Sequence, residues 1–293
     1  MSRSVLFVHA HPDDECIPTG TTIAKYAAEG ARVTVVTCTL GEVAEIVADD
    51  LKHLAPDELG QHRVTEMKAA CEALGITDHR WLGGAGRFRD SGMAGSDFND
   101  DPRCFWRADL DEAARELVAV IREVRPQVVV TYDANGDYGH PDHIQAHRVT
   151  HAAVAKAADP AYGEGEPHEV AKVYATAFPK SVLRLGFEFF KASGDEFFAA
   201  YDSADEMPFG VPDEQVTTSV AAPEHLERKF AAMRAHRSQI DPNGVFFRIP
   251  EEFAAETMGT EHFTLLKGEP GPDRDAAGRE TDLFSGVPIG HEE

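Results

Sequence analysis

Short apolar runs alternate along the first half of the chain with longer segments whose apolar residues recur every three or four positions. The runs at residues 5–8, 31–37 and 128–132 are continuous and rich in β-branched side chains, as in strands buried on both faces of a parallel sheet. A shorter strand is predicted at residues 81–82. Helical spacing is found in four longer segments, residues 21–29, 59–74, 109–124 and 144–157. The pattern predicts right-handed βαβ units and an α/β fold, a Rossmann-like, mostly parallel sheet with helices on both faces.

The second half of the chain has a less regular pattern and is predicted to be a smaller α+β portion. Residues 159–169 contain two prolines and two glycines, a composition typical of a boundary. We therefore expect a catalytic portion over residues 1–158 and a C-terminal portion over residues 170–293 that completes the pocket. Strands are predicted at 172–177, 216–220 and 263–266, and helices at 185–190 and 223–240. Residues 268–280 and the final residues are polar and are predicted to be loose.

Two clusters of polar residues each follow a predicted strand. The first is His11-Pro12-Asp13-Asp14, and the second is His140-Pro141-Asp142-His143. Open α/β sheets bind ligands at the carboxyl ends of their strands. A single acidic cluster after a strand is usually a solvated turn or a helix cap, but its repetition favours metal and proton-transfer chemistry. The first turn has no GxGxxG sequence, so a dinucleotide site is excluded.

The charge of the chain excludes some partners. Its 293 residues include 28 Lys and Arg against 51 Asp and Glu, a net charge of −23, which argues against nucleic acid or an anionic membrane as partner. No apolar stretch has the length of a signal peptide or a membrane span. The four cysteines form no CxxC pair, as expected of free thiols in a reducing compartment. We expect a cytoplasmic protein.

The two clusters and their strands resemble the zinc-dependent N-acetylglucosaminyl deacetylases of the PIG-L/LmbE type. The resemblance has specific motifs from Ser4 to about Val154. It implies one Zn²⁺ per chain, with Fe²⁺ as the alternative metal, and it assigns His11, Asp14 and His143 as the ligands. Three protein ligands from His and Asp leave one position of a catalytic zinc open for water.

The resemblance also leaves Asp13 free to act as the general base. Its neighbour Asp14 is used by the metal, so Asp13 can take the proton from the attacking water. His140, when protonated, can stabilise the oxyanion and donate a proton to the departing amine. Asp142 can orient His140 or a ligand histidine. Tyr138 can polarise the amide carbonyl with its hydroxyl, or it can simply pack at the end of its loop.

Three residues match positions that contact the sugar or the inositol in the related deacetylases, namely Arg63, Asp90 and Met93. A guanidinium and a carboxylate can each bind vicinal hydroxyls, which suits a polyol. Each could instead be a solvated surface residue. Asp90 and Met93 belong to a Gly-rich loop over residues 83–101, and loops of that length are usually functional or mobile.

Other histidines and a cysteine compete for these roles. His147 lies one helical turn after His143, so it is a rival ligand. Cys16, two residues after Asp14, is another, because zinc accepts sulfur. His9, inside the first strand, is predicted to be a hydrogen-bonded core residue. His236 resembles a position near the site in the family, but it could equally lie on the surface of its helix.

The resemblance is greatest to the branch that deacetylates N-acetylglucosaminyl-inositol in mycothiol synthesis, and Gly139 and residues 17–19 follow its pattern apart from Pro18. The alternatives are a mycothiol S-conjugate amidase and a deacetylase of another N-acetylglucosamine glycoside. A two-metal phosphoesterase would need further acids, and a non-catalytic sugar-binding protein would need no base beside a metal. The predicted partner is a small sugar-inositol substrate, with no nucleic acid and no membrane, and the oligomeric state is open.

Overall fold

A single mixed sheet organises the protein in the computed structural model, which describes residues 2–192 and 196–288. Its strands are β1 (Ser4–His9), β2 (Arg32–Thr37), β3 (Asp78–Trp81), β4 (Val128–Thr131), β5 (Lys172–Ala177), β6 (Thr218–Ala221) and β7 (Thr260–Lys267). Their order is β3-β2-β1-β4-β5-β7-β6. The first five are parallel to one another, whereas β7 is antiparallel to both of its neighbours.

Helices cover both faces of this sheet, as the sequence predicts. They are α1 (Gly20–Ala28), α2 (Pro56–Leu74), α3 (Leu110–Val124), α4 (Gly136–Gly139), α5 (Pro141–Ala158), α6 (Lys180–Ala192), α7 (Glu196–Ala199), α8 (Leu226–Ala235) and α9 (Glu251–Thr257). Alternate side chains of β1 point to opposite faces. Val5 and Phe7 pack on the side of α1, α2 and α8, while Leu6 and Val8 pack on the side of α3 and α5. The α/β prediction is therefore confirmed.

Local sequence signals explain where several helices begin and end. Pro56 is the first residue of α2, and Gly75 ends that helix with a φ of 81°, a left-handed conformation that glycine adopts without strain. The Asp109 side chain accepts the Glu112 amide at the start of α3. The helix predicted to run to residue 240 stops earlier, because His236 leaves the helical conformation at φ −83° and ψ 49°.

The C-terminal strands continue the same sheet. β5 pairs with β4, and β7 pairs with β5. Buried side chains of both portions share one core, in which Phe7 of β1 and Phe263 of β7 are fully buried. The division into portions over residues 1–158 and 170–293 stays a prediction. In the part of the chain described, no helix is long and apolar enough to cross a membrane.

The prediction that residues 268–280 are loose is wrong for Gly271 and Glu280, which are buried, and the chain that follows them is also packed. Glu280 is completely buried, and one of its carboxylate oxygens lies 2.5 Å from Lys172 Nζ. Leu283 and Phe284 lie in the core. Polar composition is misleading here because a charged residue can be buried when it finds an opposite charge. The predicted looseness of residues 289–293 lies outside the described residues.

Candidate active site

The turn after β1 meets the end of β4 at the carboxyl edge of the sheet. Tyr132, the residue after β4, donates its hydroxyl to Asp14 Oδ2 over 2.7 Å and accepts the Ala10 amide at 2.8 Å. The His11 amide also donates to Asp14 Oδ2, at 2.8 Å. These bonds fix the first cluster against the neighbouring strand, which brings it close to the second cluster at the start of α5.

Asp14 lies at a distance from each of the two predicted histidine ligands that suits a shared metal ion. Asp14 Oδ2 is 3.4 Å from His11 Nδ1 and 3.5 Å from His143 Nε2. Two atoms bound tetrahedrally to zinc at about 2.0–2.2 Å lie roughly 3.3–3.6 Å apart. Both ring nitrogens of His143 are buried without a hydrogen-bond partner among the described residues. A buried orphan nitrogen facing a carboxylate is the arrangement expected of a metal ligand, so the residues fit a zinc ion.

The charges around two of these ligands, Asp14 and His143, are consistent with metal binding. Burial by itself lowers the pKa of His11, but hydrogen bonds with Asp14, Asp142 and Asp90 bring it well above its ordinary value. Burial by itself raises the pKa of Asp14, but His143 and His11 bring it well below its ordinary value. Burial lowers the pKa of His143 to about 4. Asp14 is therefore a carboxylate and His143 a neutral imidazole, the protonation states that a metal requires of its ligands.

Asp142 orients His11. Its Oδ2 lies 3.3 Å from His11 Nε2, the ring nitrogen that points away from Asp14. Asp142 is itself held by Ser91, whose amide donates to Oδ2 at 2.9 Å and whose hydroxyl donates to Oδ1. A carboxylate that binds the far nitrogen of a ligand histidine fixes its ring and its tautomer. Sequence reasoning missed Ser91, although it follows Asp90 in the long Gly-rich loop.

Asp13 has a strained backbone and a close cationic neighbour. Its φ is 102°, a region that side-chain-bearing residues rarely adopt. Arg63 donates to Asp13 Oδ2 at 3.0 Å, to the Gly41 carbonyl at 2.9 Å and to the Pro12 carbonyl. Burial raises the pKa of Asp13 to about 6, although Arg63 opposes the increase. A carboxylate with a pKa near neutrality suits a general base.

The predicted substrate contacts have different surroundings. Arg63 is only 1% exposed and lies beneath the turn. Asp90 is buried, accepts the amides of Gly92 and Val43 at 2.8 and 3.2 Å, and has its Oδ1 3.6 Å from His11 Nε2. Met93 is 56% exposed. Direct contacts of these residues with a sugar stay predictions, and Arg63 and Asp90 also support the two clusters.

The surroundings of His140 favour its neutral form, whereas the role predicted from the sequence uses the protonated form. Its Nδ1 accepts the Asp142 amide at 3.1 Å, so His140 caps the N-terminus of α5. Burial, together with His11 and His143, lowers its pKa to about 2. Since Nδ1 accepts a hydrogen bond, the single ring proton is on Nε2. Ring nitrogens of His140, His11 and His143 also lie within 4.8 Å of one another, so His140 is a geometric rival to Asp14 as a ligand.

A cavity of about 400 Å³ opens beside these residues, a size suited to a small ligand. Asp13, Asp14, His143 and Tyr138 line its catalytic end. Tyr138 is 38% exposed, and its ring centre is 5.0 Å from that of His143. Five phenylalanines form an aromatic wall of the cavity, namely Phe178, Phe190, Phe198, Phe209 and Phe246, and Lys229, Glu261 and His262 also line it. The C-terminal half of the chain therefore contributes most of the apolar lining.

The rival ligands are engaged elsewhere. His147 Nδ1 is 2.9 Å from the Tyr132 carbonyl oxygen, and its ring packs at 4.4 Å against that of His151. The Cys16 thiol donates to the Asp13 carbonyl at 2.9 Å, and burial holds its pKa well above the ordinary value. His9 is fully buried and bonds Thr19 Oγ1 at 3.1 Å, which confirms the predicted core histidine.

His236 is completely buried instead of lying on the surface of its helix. Its Nε2 lies 2.7 Å from Glu15 Oε1. Burial by itself would lower the pKa of His236, but Glu15 raises it. Sequence reasoning missed Glu15, and the only available signal was its position directly after the two aspartates.

The first half of the chain matches a known protein family. Residues 6–154 match the family model described as "PIG-L: GlcNAc-PI de-N-acetylase". A protein of Thermomonospora curvata, named 1D-myo-inositol 2-acetamido-2-deoxy-alpha-D-glucopyranoside deacetylase, is 58% identical over 291 residues, covering 98% of this chain and 97% of that protein. A protein of the same name from Thermobispora bispora is 57% identical over 299 residues, covering 97% and 99%.

The fold also resembles that of a solved deacetylase. The N,N'-diacetylchitobiose deacetylase from Pyrococcus horikoshii, complexed with its inhibitor MPG, superposes with a TM-score of 0.61. The match covers 90% of this chain and 84% of that one at 20% sequence identity. At this identity the similarity concerns the fold.

Proposed function

Because the chain belongs to the PIG-L family of GlcNAc-PI de-N-acetylases, we propose that it hydrolyses the N-acetyl amide of 1D-myo-inositol 2-acetamido-2-deoxy-alpha-D-glucopyranoside. The products are glucosaminyl-inositol and acetate, as in mycothiol synthesis. Near-full-length relatives at 58% and 57% identity with this name support the choice of substrate. The observation that carries the chemistry is the Asp13–Asp14 pair, in which Asp14 faces His11 and His143 while Asp13 contacts Arg63.

His11, Asp14 and His143 would hold one Zn²⁺, with Fe²⁺ as the alternative ion. Such an ion polarises the amide carbonyl and lowers the pKa of water to about 7. His11 is fixed for this task by Asp142, and Asp14 is fixed by Tyr132. The support for this assignment is the spacing of the three ligand atoms and the two unpartnered nitrogens of His143.

The remaining residues would move the protons. Asp13 takes a proton from the attacking water, and Arg63 holds its carboxylate in place. His140 donates a hydrogen bond from its Nε2–H to the oxygen of the former carbonyl as negative charge develops there. The proton held by Asp13 can then pass to the departing amine, so His140 need not be protonated at rest. Tyr138, which lines the cavity, would contact the amide carbonyl.

A mycothiol S-conjugate amidase is the second candidate, and one observation favours it. The aromatic wall of the cavity, formed by residues such as Phe178 and Phe246, could accept an apolar substituent on sulfur. A polyol gains little from such a wall, because its hydroxyls need hydrogen-bonding partners.

The test compares both substrates on one preparation of the protein. We expect chelator-sensitive amine release, with a higher kcat/KM for the N-acetylglucosaminyl-inositol than for a mycothiol S-conjugate. Plain N-acetylglucosamine serves as the control for the contribution of the inositol. A clear preference for the conjugate would assign the amidase activity instead. No release from any of these substrates, with metal bound, would refute the deacetylase proposal.

A further inference from the structure

A chain of buried hydrogen bonds connects the C-terminal half of the protein to the backbone of Asp13. His236 follows the last residue of α8, and its Nε2 lies 2.7 Å from Glu15 Oε1, across 221 residues of sequence. The other carboxylate oxygen, Glu15 Oε2, accepts the Asp13 amide at 2.9 Å. The side chains of Glu15 and His236 are both fully buried, so water does not compete for the bond between them.

The Asp13 backbone needs such support. Its φ of 102° is a strained conformation for a residue with a side chain, and it persists only where the surroundings enforce it. Arg63 binds the carbonyl that precedes Asp13 and the Asp13 carboxylate itself. Glu15 binds the amide between them. If Glu15 moved, the Asp13 peptide could relax, and its carboxylate would turn away from the position next to Asp14.

His236 is itself held firmly. The helix α8 packs against α2, and two residues after His236 the amide and hydroxyl of Ser238 donate to Glu66 at 2.8 and 2.6 Å. Glu66 is on α2, one turn after Arg63. The same helix thus supplies Arg63 to one side of the catalytic turn and anchors the segment that supplies His236 to the other.

We propose that His236 is a positioning residue, which acts through Glu15 to hold Asp13 in the orientation that accepts a proton. It is not among the residues that line the cavity, and among the described residues its side chain bonds Glu15 and not a predicted metal ligand. The inference rests on the proposed function, because it gives Asp13 the part of general base. The proposal means that Asp13 depends on a residue outside the segment 6–154 that matches the family model.

A second metal ion is the competing explanation for this cluster. Glu15, Cys16 and His236 have ligand atoms within 4.8 Å of one another. However, the Cys16 thiol donates its proton to the Asp13 carbonyl, and a metal needs the thiolate. The 2.7 Å bond between His236 and Glu15 already satisfies the atoms that such an ion would use.

The test compares His236→Gln with His236→Asn. The amide nitrogen of Gln can occupy the position of Nε2 and donate to Glu15, whereas the Asn side chain is too short. We expect the Gln variant to retain kcat within about threefold. The Asn variant should lose roughly 10–100-fold in kcat, the range for a disturbed supporting hydrogen bond, with KM within about twofold and one metal equivalent retained. Crystal structures should show the Asp13 φ unchanged in the Gln variant and altered in the Asn variant.

His79→Asn is the matched control, since it also removes a histidine bond, from Nε2 to Thr37 Oγ1 at 3.0 Å, but away from the turn. We expect its kcat to equal that of the wild type. Equal kcat and equal Asp13 geometry in the Gln and Asn variants would overturn the proposal. Failure of both variants to fold would also overturn it. So would a wild type that binds two metal equivalents and a His236 variant that binds only one. An inactive wild type would instead refute the proposed function, and the Asp13 geometry would still decide the role of His236.

Discussion

At the scale of single residues, the site depends on two adjacent carboxylates with opposite surroundings. Burial raises the pKa of Asp13 to about 6, whereas His143 and His11 hold the pKa of Asp14 well below its ordinary value despite burial. Titratable neighbours whose environments separate their pKa values usually have different chemical roles. Here the separation agrees with Asp14 as a ligand and Asp13 as the base.

Asp13→Asn should therefore abolish most activity without releasing the metal. Removal of a general base typically lowers kcat by about 10²–10⁴-fold, and the ligand atoms of Asp14, His11 and His143 are unchanged. The matched control is Asp14→Asn, which should lose the metal as well. Steady-state kinetics and metal analysis of both variants check the pair. Near-normal turnover of Asp13→Asn would exclude it as the base.

His143→Ala and His147→Ala test the ligand set. His143 offers a buried nitrogen 3.5 Å from Asp14 Oδ2, while His147 Nδ1 is occupied by the Tyr132 carbonyl. We expect about one metal equivalent in His147→Ala and a sharp reduction in His143→Ala. Elemental analysis after dialysis gives the stoichiometry. Full occupancy in His143→Ala would point to His140, which shares the same cluster of ring nitrogens.

At the scale of elements, a carboxylate from β7 caps the helix that follows the catalytic turn. Glu261 accepts the amides of Thr21 and Thr22 at 3.0 and 2.8 Å, at the start of α1. Lys229 of α8 lies 2.8 Å from the same carboxylate. Negative charge is favourable at a helix N-terminus, where amide groups lack partners within the helix. Glu261 thus connects α1, α8 and β7.

Glu261→Gln should lower the free energy of unfolding by about 3–5 kcal/mol, mainly because it leaves the buried Lys229 without its counter-ion. The double variant Glu261→Gln with Lys229→Met should recover part of this loss, since no unpaired charge remains. Urea unfolding followed by circular dichroism measures both. A double variant less stable than the single one would show that the unpaired lysine is not the source of the loss.

At the scale of the whole molecule, the segment after β7 crosses back to β5. Glu280 is bound by Lys172 Nζ at 2.5 Å and by the Tyr174 hydroxyl at 3.0 Å, and it accepts the Gly271 amide at 2.6 Å. Burial by itself raises the pKa of Glu280, but Lys172 and these hydrogen bonds bring it below its ordinary value.

This pair predicts a pH dependence of stability. Because the pKa of Glu280 is lower in the folded protein than in the unfolded chain, where it is about 4.3, the unfolded chain binds the proton more readily. The stabilisation is complete above that value and is lost as the pH falls through the folded pKa. The stability difference between wild type and Glu280→Gln should therefore be constant from pH 7 to about pH 5 and shrink below about pH 4.3.

Urea unfolding at several pH values measures this difference. The control is Glu123→Gln, which removes an exposed ion pair with Arg80 and should change stability by less than about 1 kcal/mol. If the difference in the free energy of unfolding between wild type and Glu280→Gln does not shrink in acid, protonation of Glu280 is not linked to unfolding as proposed.

The sequence by itself determined the sheet of the first half and the two polar clusters. Continuous apolar runs and helical spacing are local patterns, and they predict parallel strands whose carboxyl ends must meet at one edge. The sequence therefore predicts that His11 and His143 lie close together. His11 follows β1 closely, and His143 follows β4 and the segment after it.

Only the tertiary structure decided which residues support these clusters. His236 meets Glu15 across 221 residues, and Ser91 meets Asp142 across 51, so no spacing rule connects them. The same holds for Glu280, whose polar neighbours predicted a loose segment although its carboxylate is buried against Lys172. A charged residue is stable inside a protein only when an opposite charge or donor faces it, and that partner is set by how the strands and helices pack and not by the local sequence.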